Sequence, residues 1–261
     1  MEVVVRPTAE EAATLAAEAV ARLVSRRPDA VLGLATGSSP LGVYDELARR
    51  VAAGSLSLAR VRAFLLDEYV GLARGHEQSY RSVIERELVA RVDLDPARVH
   101  APDGTAEDLV AECVRYEEAI AGAGGVDLQL LGIGSDGHVA FNEPGSSLGS
   151  RTRLKTLTQQ TRRDNARFFD GDVDAVPRHC LTQGVATILQ ARHLVLLASG
   201  AGKAEAVRQL VEGPVSSSWP ATALQLHPHV TVLLDPGAAS RLERADYYAD
   251  AYAAKPTWQG L

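Results

Sequence analysis

The sequence predicts an α/β fold: a single domain built on one open, mostly parallel sheet flanked by helices. Three observations predict it. Short apolar runs alternate with longer amphipathic segments, a rhythm of parallel strands and crossover helices rather than of a sandwich or a bundle. The runs are rich in Val and Leu, as strands covered on both faces should be. A chain of 261 residues, 46% of them hydrophobic, can bury one substantial core.

In chain order, "TAEEAATLAAEAVARLVSRR" is a helix opened by a Thr8/Glu11 capping box. The apolar runs at 30–36 and 61–67 are strands. "TAEDLVAECVRYEEAI" is a helix with Thr105 at its N-cap, and strands follow at 127–134, 193–199 and 231–235. Residues 150–180 are rich in Arg and Lys without apolar periodicity and fit no regular element. Long segments of that kind in compact domains are lids or binding loops, or else solvated charged surface. No internal repeat, low-complexity tract or interdomain linker is evident.

Composition excludes several functions. A net charge of −6 and a pI near 5.7 argue against a nucleic-acid surface, although a local pocket can still be positive. The start "MEVVVRPTAEEAA" carries neither a signal peptide nor a membrane anchor, so the cytoplasm is expected. Cys113 and Cys180, the two cysteines, offer no disulfide framework and no metal-ligand spacing. His227-Pro228-His229 reads as a Pro-stiffened loop, and neither metal nor cofactor is expected.

Open α/β sheets bind ligands beyond the carboxyl ends of their strands, and here those ends are chemically loaded. The first exits into Thr36-Gly37-Ser38-Ser39-Pro40, a hydroxyl-rich turn with Pro suited to the first helical position. Such a turn leaves backbone N–H groups free for an anion, or is an ordinary capped turn. The fourth exits into Ser199-Gly200-Ala201-Gly202-Lys203, with Lys203 near a helix start, where the macrodipole disfavours a cation by roughly 0.3–1 kcal/mol unless an anion is near. A Walker A loop is excluded, because Leu197 and Ala204 stand where that pattern needs Gly and Ser or Thr.

Gly132, Gly134 and Gly137 of "LLGIGSDGHVAFNEPGSS" spell the dinucleotide pattern G-x-G-x-x-G. A dinucleotide site would open a helix at once and place an acidic residue about twenty positions on. Instead Pro144 and Gly145 interrupt any helix, and the region near residue 155 lacks a carboxylate. Asp136, His138 and Glu143 crowd the loop, which is equipment for proton transfer, the alternative being a polar loop with a surface histidine. Asp67 and Glu68 end the second strand, where burial makes at least one of them a stronger base unless the pair is simply a cap.

"LGLATGSSPLGVYDEL", "FLLDEYVGL", "LLGIGSDGHVAFNEPGSSLGSRTR", "LTQGVATIL" and "SGAGKAEAVRQLVEG" together resemble the glucosamine-6-phosphate deaminase family, in order and across nearly the whole chain. The resemblance implies a Rossmann-like sheet without a dinucleotide, with residues 150–180 as an active-site lid. It implies conversion of glucosamine 6-phosphate and water to fructose 6-phosphate and ammonia, in N-acetylglucosamine catabolism. By resemblance the base moving a proton between C2 and C1 falls on Asp67 and the ring-opening histidine on His138, with Asp136 and Glu143 as its carboxylates. The phosphate site falls on Thr36, Gly37, Ser38, Ser39, Arg167 and Lys203. Ser135 stands where the family often has Asn, and "TGSSP" has Ser where Thr is common.

Allosteric members bind N-acetylglucosamine 6-phosphate at a subunit interface, and Ser146, Arg153, Lys155 and Thr156 match that site. The tyrosine completing it falls among Tyr247, Tyr248 and Tyr252, and a hexamer goes with this regulation. A 6-phosphogluconolactonase would share the fold and a sugar-phosphate ligand but has no use for a C2-proton base. A sugar-phosphate sensor would keep "TGSSP" and Lys203 and could lose Asp67 or His138.

Overall fold

The structure, a computed structural model, describes residues 1–256 and 258–261. Its main sheet has seven strands: β1 (Glu2–Val5), β2 (Val31–Leu34), β3 (Arg62–Leu65), β5 (Val99–His100), β6 (Leu128–Leu131), β9 (His193–Ala198) and β10 (Val230–Leu234). They lie in the order β1-β10-β9-β6-β2-β3-β5, every pair parallel. All five predicted strands are present. The two edge strands, β1 and β5, were not predicted, because one is a four-residue run at the chain start and the other has two residues.

Residues alternate between faces, and both faces are apolar, as a sheet covered on both sides requires. On one face Leu32, Leu34, Leu128, Leu130 and Val195 pack with α1 (Ala9–Arg26) and α2 (Leu41–Ala52). On the other, Val31, Phe64, Leu131, Leu194 and Leu196 pack with α4 (Leu109–Gly122) and α7 (Ala204–Glu212). Thr8 caps α1 by accepting Glu11 N–H at 3.1 Å, but Glu11 pairs with Arg6 rather than closing the predicted box. The cap of α4 is Asp108, whose carboxylate accepts the amides of Val110 and Ala111. Thr105, expected there, turns back to donate its hydroxyl to Asp103.

A second sheet of three antiparallel strands, in the order β4-β8-β7, joins β4 (Asp67–Tyr69), β8 (His179–Thr182) and β7 (Arg153–Thr156). Residues 150–180, expected to be irregular, therefore contain β7, the start of β8 and the short helix α5 (Gln159–Asn165). Strand pairing, rather than an apolar stripe, holds the polar β7, and Thr158 caps α5 by accepting Thr161 N–H. Phe141, Leu157, Phe169, Val176 and Tyr69 form a separate small core beneath this segment.

β2 leads outward to β3, whereas its neighbour β6 leads, through the second sheet, to β9 on the opposite side. That reversal is a topological switch point, where ligand crevices form. At the amino ends of β9 and β10 the rings of His193 and His229 stack at 3.7 Å, and His227 is fixed against the carbonyls of Ala191 and His229. No helix among the described residues is long and apolar enough to cross a membrane.

Candidate active site

A cavity of about 400 Å³ opens at the switch point. The residues following β2, β3 and β6 line it, with Lys203 beyond β9 and part of α5 and the turn after it.

The β2 exit forms one wall, with Gly37 and Ser38 exposed. Gly37 takes φ +89°, a left-handed conformation that reverses the chain without strain only at glycine. Pro40 occupies the cap position of α2, one residue before the place predicted for it. The amides of Gly37, Ser38 and Ser39 make no hydrogen bond among the described residues, leaving three donors at a helix N-terminus. Lys203 caps α7 and is half-buried. Burial pulls its ammonium pKa down, against the opposing pull of Asp136 and with the help of Arg167. Arg167 rests its guanidinium 4.7 Å over the Phe168 ring. Neither cation pairs with a carboxylate among the described residues, so the wall can accept a doubly charged anion.

The β6 exit carries the histidine. Asp136 Oδ1 lies 2.7 Å from His138 Nδ1, a close contact not aligned as a hydrogen bond, and accepts the His138 main-chain N–H at 3.2 Å. Partial burial raises the Asp136 pKa, but the His138 ring and amide lower it further, so the carboxyl stays below its ordinary value. The glycines make this turn fit. A Cβ on Gly134 would meet the His138 ring at 2.3 Å, and one on Gly137, at φ +80°, would strike Trp219 at 2.5 Å.

The two adjacent carboxylates divide. Glu68 accepts the amides of Tyr69, Tyr80 and Arg81, the last two at the start of α3 (Tyr80–Glu87), and is the cap anticipated as the plainer reading. Asp67 is 5% exposed, lines the cavity and accepts no hydrogen bond on its carboxylate among the described residues. Burial, and then the nearby Glu68 charge, hold its pKa well above the usual carboxylate range. An unpartnered, desolvated carboxylate of this kind is a strong base in its ionised form.

Glu143, expected to work with His138, has other hydrogen-bond partners. Its buried carboxylate accepts Thr158 N–H at 3.0 Å and the hydroxyls of Thr158 and Thr161, so it holds the start of α5, and no hydrogen bond joins it to His138. Two hydroxyls and the Thr158 amide, gathered at the start of α5, account for these bonds.

Of the second constellation, Arg153 and Lys155 share one face of β7 and Thr156 lies on the other. Arg153 donates to Asn142 Oδ1 at 2.9 Å, and burial lowers its pKa. The Ser146 hydroxyl is buried and has no partner among the described residues. Tyr248 bonds Glu212, while Tyr247 is exposed. Among the described residues no group of three or more His, Cys, Asp or Glu is placed to hold a metal ion. Tyr69, Tyr80 and Asn165, none of them predicted from sequence, also line the cavity, and their hydroxyl and amide groups meet there. Only "DEY" signalled the first of them.

The family model described as glucosamine-6-phosphate isomerases/6-phosphogluconolactonase matches residues 6–233. Over the full length of both chains, the sequence is 68% identical to a glucosamine-6-phosphate deaminase of Beutenbergia cavernae and 63% identical to one of Mycolicibacterium smegmatis. Among solved structures, a monomeric glucosamine-6-phosphate deaminase aligns with a TM-score of 0.90 at 47% identity, covering 92% of this chain and 99% of that one. A 6-phosphogluconolactonase from Trypanosoma brucei shares the fold at 24% identity, with a TM-score of 0.72 over 92% of this chain and 98% of its own. The chain belongs to the family of glucosamine-6-phosphate isomerases and 6-phosphogluconolactonases, within its glucosamine-6-phosphate deaminase branch.

Proposed function

We propose that the chain converts glucosamine 6-phosphate and water to fructose 6-phosphate and ammonia, as its full-length relatives are named for doing. One observation carries the assignment of residues. A single cavity holds an unpartnered buried carboxylate, an Asp–His pair, and two cations beside a turn of free amides.

The phosphate sits on the amides of Gly37, Ser38 and Ser39, with the hydroxyls of Thr36, Ser38 and Ser39 around it and Arg167 and Lys203 supplying charge. His138 opens the ring by taking the proton of the C1 hydroxyl and passing it to the ring oxygen as the bond from C1 to that oxygen breaks, and Asp136 stabilises the imidazolium formed in between. Asp67 then removes the C2 proton while the substrate's ammonium group passes a proton to the carbonyl oxygen, giving a 2-amino enol, and Asp67 returns its proton to C1. The resulting imine at C2 adds water and expels ammonia, leaving the ketose. Each proton taken is returned, so the residues end as they began. Glu143 works with the histidine indirectly, by fixing α5 and the segment 150–180, the lid of this reading, against the loop that bears His138.

Lactone hydrolysis would leave Asp67 without a task. The deciding experiment follows ammonia and fructose 6-phosphate from glucosamine 6-phosphate. Absence of turnover, with hydrolysis of 6-phosphogluconolactone in its place, would overturn the proposal.

Among the described residues the Ser146 hydroxyl has no partner and the Arg153 guanidinium no carboxylate, which supports an effector anion at that second place, N-acetylglucosamine 6-phosphate by resemblance. The assembly that goes with such regulation is a hexamer. Apolar surface available for it includes Val110 and Val114, one turn apart on α4, and Leu154 on β7. The relative of 47% identity is described as monomeric, so sedimentation with and without the effector decides the point. A monomer under both conditions would refute the hexamer.

A further inference from the structure

Thr182 ends strand β8 and Gln183 follows it, and neither lines the cavity. Both are nonetheless fully buried and tied to each side of it. In the small sheet Thr182 stands directly across from Asp67 on β4 and from Arg153 on β7. Its hydroxyl accepts the amide of Phe141 at 3.2 Å, three residues beyond His138, and donates to the Gln183 carbonyl. Gln183 in turn donates its main-chain amide to Leu66 O and its side-chain amide to Leu65 O, the two residues that lead into Asp67. The Gln183 carbonyl also accepts the Asn142 side chain at 2.8 Å.

The turn between His138 and Asn142 needs such a hold. Ala140 takes φ +51°, in the left-handed region that residues other than glycine keep only where their surroundings fix them. Asn142 folds back on Val139 O through its amide at 3.1 Å and its side chain at 3.0 Å. Among the described residues, the Thr182 hydroxyl is the acceptor of the Phe141 amide and ties the turn to β8.

We infer that Thr182 is a positioning residue: its hydroxyl ties the loop bearing His138 to the strand bearing Asp67, so that two proton-handling groups from separate elements face one substrate in fixed register. The inference rests on the roles proposed above for Asp67 and His138. Both groups must reach neighbouring carbons of one bound sugar, and a misplacement of about 1 Å can cost on the order of a hundredfold in rate. Thr182 touches neither the sugar nor the phosphate wall, so its loss should act on turnover and spare binding.

The test compares wild type, Thr182→Val and Thr182→Ser in steady-state deamination of glucosamine 6-phosphate and in exchange of the C2 hydrogen with deuterated solvent. Thr182→Val keeps the shape and removes the hydroxyl. We expect kcat and C2 exchange to fall about tenfold or more, with KM within about twofold, and Thr182→Ser to restore kcat to within about threefold. Should the Val variant not fold, Thr182→Ala removes the same hydroxyl and carries the same expectation. A folded hydroxyl-free variant that keeps wild-type kcat and exchange would overturn the inference. So would a Ser variant as slow as the Val one. A wild type without turnover would instead remove the functional reading, and the inference with it, so the two failures are told apart.

Discussion

Asp67→Asn should leave an inactive protein that is more stable than the wild type at neutral pH. Asp67 is 5% exposed, accepts no hydrogen bond on its carboxylate among the described residues, and sits beside the Glu68 charge. Its folded pKa is therefore well above the unfolded value of about 3.9. Below that unfolded value the carboxyl is neutral in both states, and its ionisation costs nothing. As pH rises, the unfolded chain gains by ionising first, so the wild type loses stability until the folded pKa is passed. Each unit of elevation corresponds to about 1.4 kcal/mol, and one kcal/mol shifts the melting temperature of a domain near this size by about 2–4 °C. Asn removes the whole term. Thermal unfolding at pH 7.5 should show the variant higher by about 3 °C or more, with the gap closing as pH falls towards 4. Catalysis moves the opposite way: loss of a general base should cost about 10²- to 10⁴-fold in kcat and abolish C2 exchange. A variant melting at or below the wild type at pH 7.5, or a gap that does not shrink with acid, would show that Asp67 is not a desolvated, unpartnered charge.

Replacing His138 with Gln should lower turnover by about 10²-fold or more, read as ammonia release, because ring opening loses its proton carrier. Lys203→Ala should raise KM about tenfold to a hundredfold, the worth of one charge-assisted hydrogen bond; inorganic phosphate should raise the melting temperature of the wild type and not of this variant. The His193 pKa is pushed down to about 3, first by burial and then by the neighbouring His229, His227 and Lys255 charges. Its stabilising contribution is present above the unfolded histidine value near 6.5 and is lost as pH falls towards 3. His193→Gln should flatten the acid side of the stability curve between those limits, measured by urea unfolding from pH 7 to 4.

The main sheet was legible because its strands are covered on both faces, which turns each into an unbroken apolar run, and because parallel strands send their exits to one rim. Thr36–Ser39, Asp136, His138 and Lys203 could be gathered from that rule alone. The small sheet was not legible, since β7 and β8 are specified by pairing and not by apolar alternation: Arg153, Lys155 and Thr156 look like surface. Local signals also competed. Thr105 and Asp108 are both good caps, and only the Asp103 turn that captures Thr105 decides between them. Glu143 has a histidine close in sequence, yet the free amide and hydroxyls of Thr158 and Thr161, fifteen and more residues away, claim its carboxylate.

The division of labour between Asp67 and Glu68 follows from the element that carries them. On a strand, successive side chains point to opposite faces. Placed on β4, the dipeptide sends Asp67 into the cavity and Glu68 towards the start of α3. The amides of Tyr69, Tyr80 and Arg81 stabilise the ionised form of Glu68 and partly offset its burial. They reach nothing on the other face, so Asp67 keeps the full effect of desolvation. Had the pair lain on a helix, the two side chains would stand about 100° apart on one surface and could share the same donors, and the basicity of Asp67 would be lowered along with its neighbour's. The base is therefore created by the turn from β3 into the second sheet: the same step that ends the parallel strand at Leu65 gives Asp67 a face of its own.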